Sequence, residues 1–376
     1  RCTKVFVFLF IIFCWLGVVS AVETQLHGYR INQMSAGYVI PFPSDTKQCG
    51  SVYSDSGVSI ELSHRFAQNT TWWKANYYPE ELPKLMQDLD KTPPKYQLEG
   101  RTLFVGHVNM HYGHFLVETL MRLWPLMYNK YDQLLVFCKA LQCSNIEELD
   151  CMSTCSPFQL HLITTTVSFI SFGRYIPPKI VSISTPIRFA NSSVDVVESL
   201  WVSENNGFDE KNSGQLLRNL TKTLSASACA MAGPDCDLSV QNRCYMVRDT
   251  SYSRVNPNGA VNEPELESMF VNEFGFISFE PGFLSLEQQL VRFLQCSVLV
   301  GRVGTSMHNV LFLNPNVTVI LLEDNRKTVH TQFKLQKALN FSDSQSHVIP
   351  FLGILKGESP EFNVPAYRDQ IASILG

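Results

Sequence analysis

The stretch "EPELESMFVNEFGFISFEPGFLSLEQQLVRFLQCSVLVGRVGTSMHNVLFLNPNVTVILLE", residues 263–323, decides the fold. Apolar residues recur at helical spacing over 263–275, where Gly275 stops the run. "FISFE" (276–280) reads as a strand, and "SLEQQLVRFLQ" (285–295) as a helix capped by Ser285. "CSVLVG" (296–301) is a second strand, "GTSMHNVLFLN" (304–314) a helix and "VTVILLE" (317–323) a third strand. Ahead of them "RCYMVRD" (243–249) is one more strand. Strands alternating with helices through short loops form a parallel, doubly wound sheet. Such a sheet takes ligands beyond the carboxyl ends of its strands.

Further upstream, "RTLFVGHV" (101–108), "QLLVF" (133–137) and "LHLITTTV" (160–167) read as buried strands of a second sheet of the same kind, before residue 190. Residues 190–240 are rich in Ser, Asn and Ala, with Leu216, Leu217, Leu220 and Leu224 at helical spacing; they read as a peripheral helix and connector. The expected class is α/β, with two facing Rossmann-like domains and a cleft between them. The expected divisions are an N-terminal targeting segment (1–22), an α/β domain with its connector (23–235) and a C-terminal Rossmann-like domain (236–376).

With 376 residues, 45% apolar and 17% charged, the chain is ordered and long enough for two cores. A net charge of −4 supplies no basic field for nucleic acid. Arg1 and Lys4 precede an uncharged run from Val5 to Val22, in which Val19-Ser20-Ala21 offers small residues for cleavage. The run is a cleaved signal peptide or, because Phe, Ile and Trp fill it, an uncleaved signal anchor. Both readings send the chain into the secretory pathway: the endoplasmic reticulum or Golgi lumen, membrane-anchored or secreted. Asn-x-Ser/Thr triplets at Asn69, Asn191, Asn219, Asn316 and Asn340 agree with this. So do nine cysteines beyond the apolar run, which read first as disulfides, with at least one thiol free or paired between chains. A zinc site from Cys138, Cys143, Cys151 and Cys155 is the sharper alternative, without Cys-x2-Cys spacing or a nearby His pair.

Chemistry is sought at the strand ends. "LVGRVGTSMHN" puts Gly301 and Gly304 between a strand and a helix whose first turn holds Thr305 and Ser306. Free N–H groups there form an anion site suited to phosphate; a tight turn with no ligand is the bland alternative. "MVRDTSYSRVN" supplies Arg248 and Arg254, whose forks fit pyrophosphate. Glu280 and Glu323 close two further strands, where a carboxylate accepts ribose or base hydrogen bonds. There is no G-x-G-x-x-G, P-loop or nucleophile elbow, so hydride transfer and ATP hydrolysis are not indicated. Two Asp-x-Asp triplets, at Asp88–Asp90 and Asp235–Asp237, follow no apolar strand, so no metal site is expected.

"GHFLVETLMRLWPL" (113–126) carries His114, Glu118 and Arg122 at four-residue intervals on an apolar helix. Buried charges are costly unless paired or functional. Either this is a structural ion pair with a core histidine, or Glu118 or His114 is a base lining the cleft, with Arg122 paired to Glu118. His107 and His111, in or beside the preceding loop, are the next candidates.

In order along the chain, "HYGHFLVETLMRLWPL", "RDTSYSRVNPNGAVNEPEL" and "SFEPGFLSLEQQLVRFLQCSVLVGRVGTSMHNVLFLNP" resemble the motifs of glycosyltransferase family 61, over about residues 100–325. That family includes plant xylosyl- and arabinosyltransferases and endoplasmic-reticulum enzymes that add N-acetylglucosamine to proteins. The resemblance implies a GT-B-like fold, a UDP-sugar donor as substrate with no further cofactor, a glycan or glycoprotein acceptor, and inversion at the anomeric carbon. Under it Arg248 and Arg254 match the Arg-containing segment before Asn262-Glu263, while Gly301, Gly304 and Asn309 match the G-x-H-G-A-x-L-x-N segment. This chain has Val303 where the family has His, Thr305 for Ala and Met307 for Leu; Arg302 or His308 is a candidate substitute for that His. An inactive lumenal homologue that binds carbohydrate or acts like a chaperone is therefore the alternative. The expected activity is metal-independent, inverting transfer of N-acetylglucosamine or a pentose such as xylose.

Overall fold

The computed structural model describes residues 21–26, 29–40, 51–54, 82–91, 98, 100–108, 112–138, 156–183, 187–200, 213–247, 262–323, 329–356 and 359–376. The N-terminal apolar run up to Ser20, Asn69, His111, Cys143, Cys151, Cys155, Arg248 and Arg254 lie outside them. Among the described residues no helix is long and apolar enough to cross a membrane. The chain divides into two compact units, Arg1–Leu216 and Leu217–Gly376.

The first unit holds strands β1 (Ala21–Leu26), β2 (Tyr29–Ile40), β3 (Ser51–Tyr53), β4 (Arg101–Val108), β5 (Gln133–Cys138), β6 (Lys179–Ser182) and β7 (Ile187–Val197). Its helices are α1 (Leu82–Lys91), the short α2 (Tyr112–His114) that opens a longer irregular helical stretch, and α3 (Pro157–Ser171). Helix α4 (Ser213–Ala232) spans the division. The strand order is β1-β2-β7-β4-β5-β6, with β3 also on β2. β7, β4, β5 and β6 are mutually parallel, whereas β2 runs antiparallel to β1, β3 and β7. The sheet is thus mixed and not, as expected, all parallel. β1 and β2 are joined too tightly for a crossover helix, so they can only form a hairpin.

Two expectations are corrected. "LHLITTTV" is not a strand but the middle of α3. Ser156 caps that helix in a capping box with Gln159, and Pro157 takes the first position. Its β-branched run suggested a strand, but Leu162, Ile163, Thr166, Val167, Phe169 and Ile170 are buried at helical spacing. Residues 190–197, read as the start of the connector, belong instead to β7, set between β2 and β4. Its Val194 and Val196 pack with Phe104, Leu135 and Phe137 in the core. On its other face the fully buried Asp195 is held by Arg101 Nη2 at 2.6 Å and by the Tyr131 hydroxyl at 2.8 Å.

The second unit follows the sequence reading closely. Strands β8 (Asn242–Met246), β9 (Ile277–Phe279), β10 (Cys296–Arg302), β11 (Thr318–Leu322) and β12 (Ser346–Ile349) form one sheet in the order β12-β11-β10-β8-β9. Every pairing in it is parallel. Helices α5 (Glu263–Phe274), α6 (Leu286–Leu294) and α7 (Val329–Ala338) connect or follow these strands. A hairpin of β13 (Gly353–Lys356) and β14 (Ser359–Phe362) leads to α8 (Val364–Leu375). Gly275 caps α5 in the left-handed region at φ 68°, and Ser285 caps α6 in a capping box with Gln288. The expected helix at 304–314 is a 3₁₀ helix, Thr305–Phe312. Two disulfides join Cys229 to Cys236 and Cys244 to Cys296, the second stapling β8 to β10.

Candidate active site

Strand order locates a crevice in each sheet. In the second unit the chain runs from β8 to β9 on one side, then returns to the other side of β8 with β10, β11 and β12. The topological switch point lies between β8 and β10, and ligands of such sheets bind beyond the carboxyl ends there. Met246 and Gly301 pair in register at that edge. Gly301 leaves room for two methionines: a Cβ would stand 2.5 Å from Met307 Sδ and 3.0 Å from Met246 Cε, so both would have to shift. With glycine there, the 3₁₀ helix closes down on β10.

Beyond Gly301, Val303 N–H bonds Leu322 O at 2.9 Å, and the chain turns at Gly304. The first helical bond runs from Met307 N–H to Gly304 O at 3.0 Å, leaving the amides of Thr305 and Ser306 ahead of it. Gly304, Thr305 and Ser306 are half-buried, at the surface of this edge. Asn309 is fully buried and braces the turn from within, donating to Ser306 O at 2.9 Å. Glu280 and Glu323 stand half-buried just past β9 and β11. Arg248 belongs to the segment after β8, outside the described residues, as does Arg254.

The parallel part of the first unit's sheet also has a switch point. β4, β5 and β6 step one way and β7 returns to the other side of β4, so its switch point is between β4 and β7. The helical stretch that leaves the carboxyl end of β4 is α2, then a π-helix (Phe115–Thr119), then 3₁₀ turns at Leu120–Arg122 and Trp124–Met127. π segments cluster at functional sites. A family model described as Glycosyltransferase 61 matches residues 112–321, beginning at this stretch and ending in β11.

The chain belongs to glycosyltransferase family 61. Family 61 membership points to a transferase, with a sugar donor and a glycan acceptor to bind. No curated protein matches the chain.

In this family 61 chain the opening turn of that stretch carries a hydrogen-bonded pair. His114 Nδ1 and Glu118 Oε1 lie 2.6 Å apart, with the imidazole 51% exposed and the carboxylate 9%. Around them Phe115, Leu116, Leu120, Met121, Leu123 and Trp124 are buried, and Thr119 Oγ1 ties the stretch to β4 through His107 O at 3.0 Å. Glu118, expected to pair with Arg122, has a bond to His114. Arg122 is buried. His107 lies near the end of β4, in register with Phe137.

Arg302, one candidate substitute for the family histidine, is spent elsewhere. Its Nη1 donates to Glu263 Oε2 at 2.9 Å, with both side chains sealed at 1% and 3% exposure. The Tyr245 hydroxyl donates to Glu263 Oε1 at 2.8 Å, and the guanidinium stacks over Phe362 at 5.1 Å. Asn262 completes the cluster by bonding both the N–H and the carbonyl of Phe362 at 2.8 Å. Asn262-Glu263 is thus a core latch joining β8, α5, β10 and β14. Val303, in the slot of the family histidine, is buried, as is His308.

Two residues that sequence reasoning missed brace the switch strands. Buried Gln159 on α3 donates Nε2 to Val108 O at 2.5 Å, at the end of β4. Buried Gln332 on α7 donates Nε2 to Gly304 O at 2.9 Å. The capping box of Ser156 and Gln159 was visible in the sequence; no local signal marks Gln332. Of the Asp-x-Asp triplets, Asp90 accepts from Tyr38 at 2.8 Å and pairs with Arg188 at 2.9 Å. Cys236 of the other is in a disulfide, and Asp237 bonds Ser239. Among the described residues no group of three or more His, Cys, Asp or Glu stands ready to hold a metal.

Proposed function

We propose that this chain is an inverting glycosyltransferase that takes a UDP-linked sugar, N-acetylglucosamine or a pentose such as xylose, and passes it to a hydroxyl of a glycan or glycoprotein. The observation that carries the reading is the coincidence, in the second unit, of the switch point with a glycine turn and two amides ahead of the first helical bond. That edge suits the donor diphosphate, with Arg248 and Arg254 on the segment after β8, Glu280 and Glu323 offering acceptors to ribose or base, and no divalent ion required.

Inversion is a single displacement. The acceptor oxygen forms a bond to the anomeric carbon as the bond to the β-phosphate oxygen breaks; UDP leaves with that electron pair, and the acceptor proton goes to a base. The first unit supports His114 with Glu118 for that task. With Nδ1–H given to the Glu118 carboxylate, Nε2 carries the lone pair, and the carboxylate stabilises the imidazolium that forms. The N-terminal run and disulfides favour a lumenal setting in the endoplasmic reticulum or Golgi.

Titration of UDP tests the donor half. Arg248→Ala and Arg254→Ala are each expected to weaken UDP by about 1.5–3 kcal/mol, and transfer is expected to persist in excess EDTA. Unchanged affinity in both variants moves the diphosphate elsewhere. Loss of transfer in EDTA, restored by Mn²⁺, overturns metal independence. Buried Val303 favours one second reading, an inactive carbohydrate-binding homologue. Slow hydrolysis of UDP-sugars by the wild-type chain without acceptor decides against it.

A further inference from the structure

The carbonyl of Gly304 takes two hydrogen bonds, one from Met307 N–H at 3.0 Å and one from Gln332 Nε2 at 2.9 Å. A carbonyl and the following N–H share one planar trans peptide and point opposite ways; among the described residues no peptide bond is cis. Fixing the Gly304 carbonyl from inside therefore fixes the direction of Thr305 N–H on the other side. Met307 alone holds the carbonyl along the 3₁₀ axis. Gln332 adds a second anchor from a different helix, so the peptide cannot rock about that axis.

The burial of Gln332 sharpens the point. The residue is 2% exposed, and its Oε1 has no hydrogen-bond partner. A leucine or methionine would fill the same space without stranding an acceptor. What glutamine adds is one N–H donor directed at Gly304.

We propose that Gln332 is a positioning residue of the donor site: it holds the Gly304–Thr305 peptide so that the Thr305 amide, with Ser306 after it, meets a diphosphate oxygen. This rests on the donor reading above. Gln336, one turn further along α7, is equally buried at 2%, and neither of its amide atoms has a partner; it is the internal control.

The test titrates UDP and uridine against the full chain. Gln332→Met is expected to lower UDP affinity about tenfold, one oriented hydrogen bond to a charged group, while uridine affinity stays within about twofold. Gln332→Leu likewise cannot donate and should lose at least as much; it stands in if Gln332→Met does not fold. Gln336→Met should leave both ligands unchanged. If UDP and uridine weaken together, Gln332 only supports the fold, and the proposal is overturned; unchanged UDP affinity overturns it too. A wild-type chain that binds uridine and UDP equally, or neither, overturns the donor reading itself and this proposal with it.

Two Asn-x-Ser/Thr triplets lie on the opposite edge of the same sheet. Asn316 is exposed in the turn before β11, and Asn340 is exposed after α7, at φ 67°, ahead of β12. Because the strands are parallel, both sit at the amino edge, away from Gly304. Asn219 is half-buried on α4, and its partner Thr221 is 5% exposed with its hydroxyl bonded to Arg218 O. We infer that Asn316 and Asn340 carry N-linked glycans and Asn219 does not. The Asn Nδ2 bonds to the anomeric carbon of a lipid-diphosphate oligosaccharide, the carbon–oxygen bond to phosphate breaks, and lipid diphosphate and a proton leave. This rests on the lumenal setting. In chain secreted from animal cells, Asn316→Gln and Asn340→Gln should each remove one endoglycosidase-sensitive mass step and leave UDP affinity unchanged, while Asn219→Gln removes none. A glycan on Asn219 instead overturns the assignment; no glycan on any triplet overturns it together with the lumenal setting.

Discussion

His114–Glu118 in the first unit and Arg302–Glu263 in the second are both base–acid pairs beside a switch strand, yet only the first meets solvent. The imidazole of His114 is 51% exposed, whereas Arg302 and Glu263 are sealed at 1% and 3%. In the sealed pair the carboxylate spends one oxygen on Arg302 and the other on Tyr245, and the guanidinium also lies on Phe362. Both side chains are shut away from solvent. In the open pair the carboxylate is buried beneath a half-exposed ring. The same two residue classes thus serve architecture in one unit and suit chemistry in the other, and exposure separates them.

The sharpest way to break that contrast is to remove each pair. His114→Ala or Glu118→Gln is expected to lower transfer by about 10²–10⁴, with UDP affinity and thermal stability near those of wild type. If transfer is retained in both, the open pair is structural after all. Glu263→Leu should do the reverse: about 3–5 kcal/mol of stability lost, because a buried guanidinium is left without its counter-charge. Adding Arg302→Met should recover most of it, since an apolar pair of similar volume avoids the desolvation cost. Urea unfolding reads both. A loss under about 1 kcal/mol, the scale of an exposed pair, would erase the distinction.

The staple behind the second switch point comes next in size. Cys244 and Cys296 are both buried, on adjoining strands and 52 residues apart in sequence. Replacing both with Ala should cost about 2–4 kcal/mol. A reductant should therefore lower the unfolding midpoint of the wild-type chain by more than that of the double variant, which no longer has this bond to lose. An equal drop in the two proteins would show that the Cys244–Cys296 bond does not stabilise the unit.

Legibility in the sequence follows the same divide. From Glu263 to Leu322 each element is local: caps at Ser285 and Gly275, short loops, one helix per strand. Its pattern therefore states its fold. In the first unit β7 joins the sheet between β2 and β4, contacts no window of sequence contains, so its residues from 190 onward read as connector. The β-branched run in α3 outweighed a capping box that was there to be read. Candidate acids and bases were visible as residue types at a spacing, but which of them is sealed depends on tertiary partners. Arg302 looked available in the sequence because Glu263, Tyr245 and Phe362 are distant along it. Gln332 is the extreme case, since its role exists only through one bond to Gly304.

The smallest expected effect concerns Tyr245, and it gives the sealed pair a pH signature. Burial, and next the charge of Glu263, raise the Tyr245 hydroxyl well above the ordinary phenol value. Below about pH 10 the phenol is protonated in folded and unfolded chains alike, so it contributes no slope. Above that, the unfolded chain releases the proton while the folded chain keeps it. The folded state then binds more protons, and stability falls as pH rises, by up to about 1.4 kcal/mol per unit for this one group. Tyr245→Phe removes the phenol. At neutral pH the variant should be less stable by about 1 kcal/mol, the worth of the lost bond to Glu263. Above pH 10 it should lose stability less steeply than wild type, so that the two curves meet near pH 11 by that arithmetic. Tyr131, raised by burial and then by Asp195 in the first unit, is untouched by the substitution and titrates equally in both proteins. Guanidinium unfolding of the two proteins between pH 8 and pH 11 measures the gap. A gap that stays constant across that range would mean that Tyr245 ionises in the folded state as easily as in the unfolded one. The cluster around Glu263 would then be open to water, and the contrast with His114–Glu118 would fail at its closed end.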